Sequence, residues 1–229
     1  MNKGHCIGLL GGVGVGAAAH YYSSLAAAHT ARSLILDLVM VHADMNRTMT
    51  ALEANDPDSL AVYFNSLIQR MAAAGAEIAV IPSVTSHFPL DQLRPISSIP
   101  LIDIFAPLKR ELAARNIKRV AAFGTKFVQR SNLYGRVPEL EIVPSTPDES
   151  AFIHSTYMDI AWRGRGTSAE HAALTTLAQE LIRREQLDAV LFAGTDLSFV
   201  FNSSNTDFPA IDIAALHIAA IVEQTATPS

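Results

Sequence analysis

The feature that most constrains this chain is the alternation of short apolar runs with longer amphipathic stretches. Five runs are apolar enough for strands buried on both faces of a parallel sheet, at residues 6–10, 34–41, 77–82, 119–123 and 189–192. Between them, helical spacing is found at residues 17–30, 59–74, 108–116, 169–185 and 213–223. Strands that alternate with helices predict an α/β fold, with parallel sheets covered by helices on both faces.

Two matches within the chain indicate a duplicated α/β unit. Residues 79–81 with Thr85 match residues 189–191 with Thr195 at an offset of 110, and residues 99–104 match residues 208–213 at an offset of 109. Coincidence between two strand-rich segments is the alternative. Duplication predicts two similar lobes, one formed by residues 1–98 with 213–229 and the other by residues 99–212.

Composition and charge limit the class of protein. Of the 229 residues, 49% are hydrophobic and 17% are charged, which favours a buried core over disorder. The net charge is −5 and no run of Lys or Arg is present, which argues against nucleic acid as a partner. The first twelve residues are too short for a membrane span and make a poor signal peptide. We therefore expect a cytoplasmic protein that does not act at a membrane.

Cysteine and histidine usage argues against a metal site. Cys6 is the only cysteine, so a disulfide within the chain and a cysteine-based metal site are both excluded. The eight histidines show no spacing typical of metal ligands. We expect no metal, and the lone thiol is expected to be packed in the core.

Polar loops follow the predicted strands at the ends where ligands of parallel sheets bind. Their residues are mostly Gly, Ser, Thr, Asn and Asp, which offer backbone N–H groups and hydroxyls to a carboxylate. These loops are residues 11–16, 42–48, 83–87, 124–126 and 194–198.

The glycine-rich loop after the first strand does not have the spacing of a dinucleotide fingerprint. Its glycines lie at positions 11, 12, 14 and 16, and the acidic residue further on, Asp37, falls inside the second predicted strand. We expect a tight turn that brings backbone close to a small anion. A turn that binds no ligand is the alternative.

Arg47 lies between Asn46 and Thr48, directly after the second predicted strand. An arginine can hold a carboxylate through two parallel hydrogen bonds, so Arg47 is a candidate substrate clamp. A solvated surface arginine is the alternative interpretation.

Six short segments, in order along nearly the whole chain, resemble the aspartate/glutamate racemase family. The third resembles the family motif Pro-Cys-Asn-Thr-Ala-His, and the fifth resembles the motif Gly-Cys-Thr-Glu. The segments are residues 7–12 (Ile-Gly-Leu-Leu-Gly-Gly), 46–48 (Asn-Arg-Thr), 82–87 (Pro-Ser-Val-Thr-Ser-His), 123–125 (Phe-Gly-Thr), 193–196 (Ala-Gly-Thr-Asp) and 212–217 (Asp-Ile-Ala-Ala-Leu-His).

The resemblance implies two pseudosymmetric flavodoxin-like lobes with parallel sheets and a cleft between them. It implies chemistry without pyridoxal phosphate, metal or any other cofactor, and a homodimer. In the family, a cysteine on each lobe flanks the α-carbon of a small carboxylate or amino-acid substrate. One cysteine takes the α-proton, and the other returns a proton on the opposite face.

The resemblance also assigns site residues. The two catalytic cysteine positions fall on Ser83 and Gly194. A histidine and a carboxylate can form an acid–base pair, so His87 and Asp196 are further catalytic candidates, with helix capping as the alternative role for each. The substrate-binding candidates are Gly12, Asn46, Arg47, Thr48, Val84, Thr85, Gly124, Thr125, Lys126 and Thr195.

The absence of both cysteines changes the expected chemistry. A thiol has a pKa of about 8.5, whereas a serine hydroxyl lies near the value of about 15.7 for water, and the difference is roughly 10 kcal/mol in forming the base. Gly194 offers only backbone, and we expect its missing side chain to leave room for a bulkier or planar substrate. Two-base racemisation through these positions is therefore disfavoured.

Three functions follow from these residues. The first is a racemase or epimerase of acidic amino acids that uses other bases. The second is a decarboxylase, lyase or isomerase on the same fold, because a site that stabilises a carbanion beside a carboxylate suits each of them. The third is a binding protein that kept the anion pocket without the chemistry.

Overall fold

The computed structural model describes residues 4–225, so the two ends of the predicted first lobe, residues 1–3 and 226–229, lie outside the described residues. Its strands are β1 (Ile7–Gly11), β2 (Leu38–His42), β3 (Ile78–Val80), β4 (Leu101–Ile102), β5 (Arg119–Phe123), β6 (Glu141–Ile142), β7 (Ala189–Phe192) and β8 (Ala210–Asp212). Its helices are α1 (Val15–Ala31), α2 (Met45–Glu53), α3 (Pro57–Ala73), α4 (Leu90–Leu93), α5 (Phe105–Arg115), α6 (Lys126–Arg130), α7 (Pro147–Arg163), α8 (Ser168–Glu185) and α9 (Ile213–Thr225).

The strands form two four-stranded sheets with the same order. The first sheet is ordered β2-β1-β3-β4 and the second β6-β5-β7-β8, and neighbouring strands pair in parallel in both. The predicted α/β class with parallel sheets is therefore confirmed.

The chain divides into two compact units. One comprises the described residues up to Asp103 together with those from His217 onward, and the other spans Ile104–Leu216. The lobes expected from the sequence change over at 98/99 and 212/213. The expected cleft concerns the arrangement of the two units, and it stays a prediction.

The third strand of each sheet ends in the same local structure. Ser83, after β3, and Ala193, after β7, each donate their N–H to the carbonyl two residues earlier at 2.9 Å. A 3₁₀ turn that begins with threonine follows in both units, at Thr85–His87 and Thr195–Phe199. These features recur at the 110-residue spacing of the internal sequence match.

The cores of both units are built from the predicted apolar runs. All five residues of β1 and all four of β7 are buried. In the second unit, α7 and α8 cover β7 through a cluster of buried aliphatic and aromatic side chains that includes Tyr157, Phe192 and Phe201. Each of these two helices begins with a capping box, in which a threonine and a glutamate satisfy the free N–H groups of the first turn.

Local chemistry fixed some helix ends as expected. The segment Asp56-Pro57 begins α3, because the Asp56 carboxylate accepts the N–H of Ser59 at 2.9 Å and Pro57 needs no N–H partner in the first turn. The helix stops before Gly75, whose φ of +100° suits glycine.

Other bounds differ from the prediction. The second strand was expected from residue 34 but begins at Leu38, because Ser33 has a left-handed φ of +55° and the chain is still turning out of α1. Three strands of two or three residues, β4, β6 and β8, were not predicted. They are too short to show an apolar period, and pairing with a longer neighbour creates them.

Within residues 4–225, no helix combines the length and the apolar character that crossing a membrane requires.

Candidate functional site

Ser83 lies in the buried turn after β3 and is 8% exposed. Its Oγ accepts the backbone N–H of Ser86 at 3.2 Å and the Ser86 hydroxyl at 3.1 Å. Val84 is buried beside it, and Thr85 is half-buried at the start of the 3₁₀ turn. Ser83 therefore organises its own turn, and the acceptor bonds leave its hydroxyl proton available for donation.

His87 supports this turn through the backbone. Its Nδ1 lies 2.7 Å from the carbonyl oxygen of Ser83, so the ring donates Nδ1–H to that carbonyl and holds the turn in place. The side chain is buried. A catalytic role for His87 stays a prediction, and the contact shown is a positioning one.

His217, on α9, packs behind His87 with the two ring centroids 6.2 Å apart. Its Nε2 donates to the carbonyl of Ile102 at 3.0 Å, and its Nδ1 accepts the Tyr21 hydroxyl at 3.1 Å. Burial, followed by the charge of His87, lowers the pKa of His217 to about 3, against the opposing effects of Ile102 and Asp103. His217 is therefore a neutral structural histidine beneath the Ser83 turn.

The segment after β2 forms the first turn of α2. The carboxylate of Asp44 caps the helix by accepting the backbone N–H of Asn46 at 2.8 Å and of Arg47 at 3.4 Å. Thr48 is buried and its hydroxyl donates to the Asp44 carbonyl at 3.1 Å. Asn46 and Arg47 are exposed, so their side chains are the part of this segment that can meet a ligand.

Arg47 is held against an aromatic ring. Its guanidinium carbon lies 4.0 Å from the ring centroid of Tyr63, a cation–π contact. The Tyr63 hydroxyl accepts the N–H of Asp44 at 2.6 Å, so ring and helix start are fixed together. Both side chains line an open surface cavity of about 420 Å³ between α2 and α3. A stacked guanidinium keeps its N–H edge available, which is compatible with the predicted clamp.

Gly12 forms the tight turn after β1. Its φ is +82°, and a Cβ at this position would lie 2.8 Å from the backbone nitrogen of Ala43. The Ala43 N–H in turn donates to the Gly11 carbonyl at 2.8 Å. Only glycine permits this close approach, so the loop after β1 is a tight turn. That it brings backbone close to a small anion stays a prediction.

In the second unit, the loops after β5 and β7 touch through their backbones. A Cβ at Gly124 would lie 2.9 Å from the backbone nitrogen of Gly194. Thr125 caps α6 by accepting the N–H of Val128 at 3.3 Å, and the Lys126 N–H donates to His154 Nδ1 at 3.3 Å. The structure therefore brings the predicted residues Gly124 and Gly194 together.

The space beside Gly194 is filled by Tyr157, a residue that the sequence did not single out. A Cβ at Gly194 would lie 2.6 Å from Cδ2 and 2.9 Å from Cζ of the Tyr157 ring. The backbone of Gly194, at φ −97° and ψ 113°, is open to any residue. The expectation that Gly194 leaves room for a bulkier substrate is therefore wrong, because an aromatic ring from α7 occupies that room.

Tyr157 is hydrogen-bonded to Asp196, one of the candidate catalytic residues. Its hydroxyl donates to Asp196 Oδ2 at 2.9 Å. Burial, and then the Asp196 charge, raises the pKa of the Tyr157 phenol, while hydrogen bonds with the Thr195 side chain and the Asp196 backbone act in the opposite direction. The phenol therefore stays protonated at neutral pH. Asp196 does not cap a helix as the alternative interpretation had it, because it lies inside the 3₁₀ turn and pairs with a phenol.

Cys6 is buried next to β1, and its backbone N–H donates to the Glu77 carboxylate at 2.8 Å. Among residues 4–225, no group of three or more His, Cys, Asp or Glu side chains is placed to hold a metal ion.

Two parallel four-stranded sheets and the matched turns after β3 and β7 define an α/β protein with two similar units. The chain belongs to the Asp/Glu/Hydantoin racemase family, whose sequence model matches residues 10–221. This confirms the resemblance drawn from the six segments. No match was found among curated protein sequences.

Solved structures share the fold at low sequence identity. A proposed Asp/Glu racemase from Yersinia pestis is 17% identical, with 97% of this chain and 100% of that chain covered and a TM-score of 0.82. An aspartate racemase homologue from Pyrococcus horikoshii OT3 is 17% identical, with 97% and 99% covered and a TM-score of 0.78. An arylmalonate decarboxylase is 13% identical, with 100% and 94% covered and a TM-score of 0.59.

Proposed function

We propose that this protein is a cofactor-independent enzyme that acts at the α-carbon of a small carboxylate or acidic amino acid, with non-cysteine chemistry. The observation that carries the proposal is the matched pair of turns after β3 and β7. Each places polar groups at the end of the third strand of its sheet, Ser83 in one unit and Thr195 with Asp196 in the other. Membership of the Asp/Glu/Hydantoin racemase family supports the reaction class.

Carboxylate recognition is supported by groups of the first unit. The stacked guanidinium of Arg47 presents N–H donors to a carboxylate. The tight turn at Gly12 follows β1, and its backbone is a second candidate donor. We propose Arg47 as the clamp, with Asn46 as a neighbouring donor. Thr48 is buried against Asp44 and supports the helix start.

Alpha-proton exchange tests the proposal. The protein is incubated with L-aspartate or L-glutamate in heavy water, and loss of the α-proton signal is followed by NMR against a sample without protein. Exchange that depends on protein supports a racemase-type reaction. No exchange at high protein concentration during long incubation excludes it.

Decarboxylation is a second candidate, favoured by the Tyr157 ring beside Gly194. Racemisation needs a base to remove the α-proton, whereas loss of CO₂ creates the carbanion by itself and needs only a proton donor afterwards. Neither Ser83 nor Tyr157 is a ready base, since a serine hydroxyl has a pKa near that of water, about 15.7, and the Tyr157 phenol stays protonated. The arylmalonate decarboxylase among the similar structures suggests the compounds to test.

The two candidates and a binding-only protein give different results. An α,α-disubstituted malonate is incubated with the protein, and CO₂ release is measured. Release supports the decarboxylase. A thermal-shift series with small dicarboxylates is run in parallel: stabilisation without exchange or CO₂ release identifies a binding protein, and the absence of all three overturns the proposal.

A further inference from the structure

We infer that the Tyr157 hydroxyl is the proton donor of the second unit and takes the place of the side chain that Gly194 lacks. This inference rests on the proposed function and names a catalytic residue for it.

The Tyr157 ring occupies the space that a side chain at position 194 would need. Because a Cβ at Gly194 would lie 2.6 Å from Tyr157 Cδ2, a side chain at 194 and this ring exclude each other. The resemblance to the family assigns a proton-transferring residue to position 194. The tyrosine therefore brings an ionisable O–H from α7 to a position where Gly194 offers no side chain.

A hydrogen bond to Asp196 holds the Tyr157 hydroxyl in place. Asp196 Oδ2 accepts the Tyr157 O–H at 2.9 Å, and Asp196 itself is only 1% exposed. Tyr157 is 8% exposed, so both members of the pair are buried. The buried carboxylate holds the phenol oxygen in one place, as a second residue does for other acid–base groups. Asp196 is thus a positioning residue, and Tyr157 is the catalytic one.

The protonation state of the Tyr157 phenol also suits a proton donor. Burial raises the pKa of the Tyr157 phenol, so the phenol carries its proton at neutral pH. Hydrogen bonds with the Thr195 side chain and the Asp196 backbone favour the phenolate that donation leaves behind. A phenol remains a stronger acid than the C–H bond that the carbanion forms, so transfer to carbon is downhill.

The step balances as a protonation. The electron pair of the carbanion left by CO₂ loss forms the new C–H bond, the phenol O–H bond breaks, and its electron pair stays on the phenolate oxygen. Water then returns a proton to the phenolate. The hydroxide formed combines with CO₂ as bicarbonate. No oxidant, reductant or other co-reactant is needed.

The substitution Tyr157→Phe tests the role, because it keeps the ring beside Gly194 and removes only the hydroxyl. The probe is a prochiral disubstituted malonate turned over in heavy water, with kcat, KM, melting temperature and product enantiomeric excess measured. We expect kcat to fall about 10²–10⁴-fold, the usual contribution of a general acid, with KM little changed. The melting temperature should fall as well, because the buried Asp196 carboxylate loses the phenol that donates to it. Residual product should lose its single configuration, since the deuteron no longer comes from one face.

Tyr134→Phe is the matched control, because Tyr134 is a half-buried tyrosine of the same unit outside the Gly194 turn. It should keep kcat and enantiomeric excess. A Tyr157→Phe variant that keeps both would overturn the inference while the proposed function stands. Wild-type protein that turns over no malonate and exchanges no α-proton overturns the proposed function and, with it, the donor role.

Discussion

A Cβ built on Gly194 falls 2.6 Å from Cδ2 and 2.9 Å from Cζ of Tyr157, so the glycine and the tyrosine form a complementary pair. The backbone of Gly194 is not left-handed, which means that the neighbouring ring alone excludes a side chain there. The absence of a side chain at Gly194, after β7, and the presence of a phenol on α7 are therefore one structural feature.

The complementary pair predicts a strong coupling in stability. Gly194→Ala should lower the free energy of unfolding by roughly 1–3 kcal/mol, because the new methyl group overpacks against the ring. In a Tyr157→Ala background the same change should cost little, since the methyl enters the space that the ring has left. Urea unfolding of the four proteins in this double-mutant cycle measures the coupling. Tyr157→Phe is the matched background that keeps the ring and should keep the full penalty, and additive effects in the alanine cycle would contradict the pairing.

Restoring the thiols should require removal of the ring. The variant with Ser83→Cys, Gly194→Cys and Tyr157→Ala places both family cysteines without overpacking and should exchange the α-proton of an acidic amino acid in heavy water. The variant with the two cysteines but with Tyr157 intact should be destabilised and should not exchange. The physical reason is that a thiol has a pKa about seven units below that of a serine hydroxyl, whereas its Sγ at 194 has no space beside the ring. Equal exchange rates with and without Tyr157 would show that the ring moves aside at little cost.

Arg47 should contribute strongly to carboxylate affinity and little to thermal stability. Arg47→Gln should weaken binding of a small dicarboxylate about 10–100-fold, in line with the roughly 1.5–3 kcal/mol of a hydrogen bond to a charged group. Arg47→Lys should recover only part of the affinity, because an ammonium cannot form two parallel hydrogen bonds. Isothermal titration gives the affinities, and thermal melting checks that the exposed side chain leaves stability nearly unchanged. Full affinity in Arg47→Gln would remove the clamp assignment.

His217 should make the protein less stable in acid. The folded state keeps it neutral down to a pKa of about 3, because the ring is buried and faces His87, whereas Ile102 and Asp103 oppose the shift only in part. In the unfolded chain a histidine titrates near pH 6.5. The unfolded state therefore binds more protons between these values, so the contribution is complete above about pH 6.5 and declines as the pH falls towards 3 by up to about 1.4 kcal/mol per unit.

Urea midpoints measured at several pH values between 7 and 4 check this prediction. His217→Gln should flatten the decline, because its amide can still donate to the Ile102 carbonyl but cannot be protonated. The exposed histidine His42 offers the control, and His42→Gln should keep the slope of the wild type. An unchanged slope in His217→Gln would assign the acid sensitivity to other groups.

Much of the fold was readable from local patterns. The apolar runs predicted β5 and β7 with their observed bounds, and the cap at Asp56 with Pro57 predicted the start of α3. Strands β4 and β8 were not predicted, because two or three residues show no period and form only against a neighbouring strand.

The sequence by itself determined the α/β class, because burial periods act over a few neighbouring residues, and six short segments in order carried the family. It also named Ser83, Gly194 and Asp196 as candidate catalytic positions, and those roles stay predictions. Tertiary structure alone decided what stands beside Gly194. Tyr157 lies on α7, 37 residues before Gly194 in the sequence. Only the packing of α7 against the end of β7 brings its hydroxyl to 2.9 Å from Asp196.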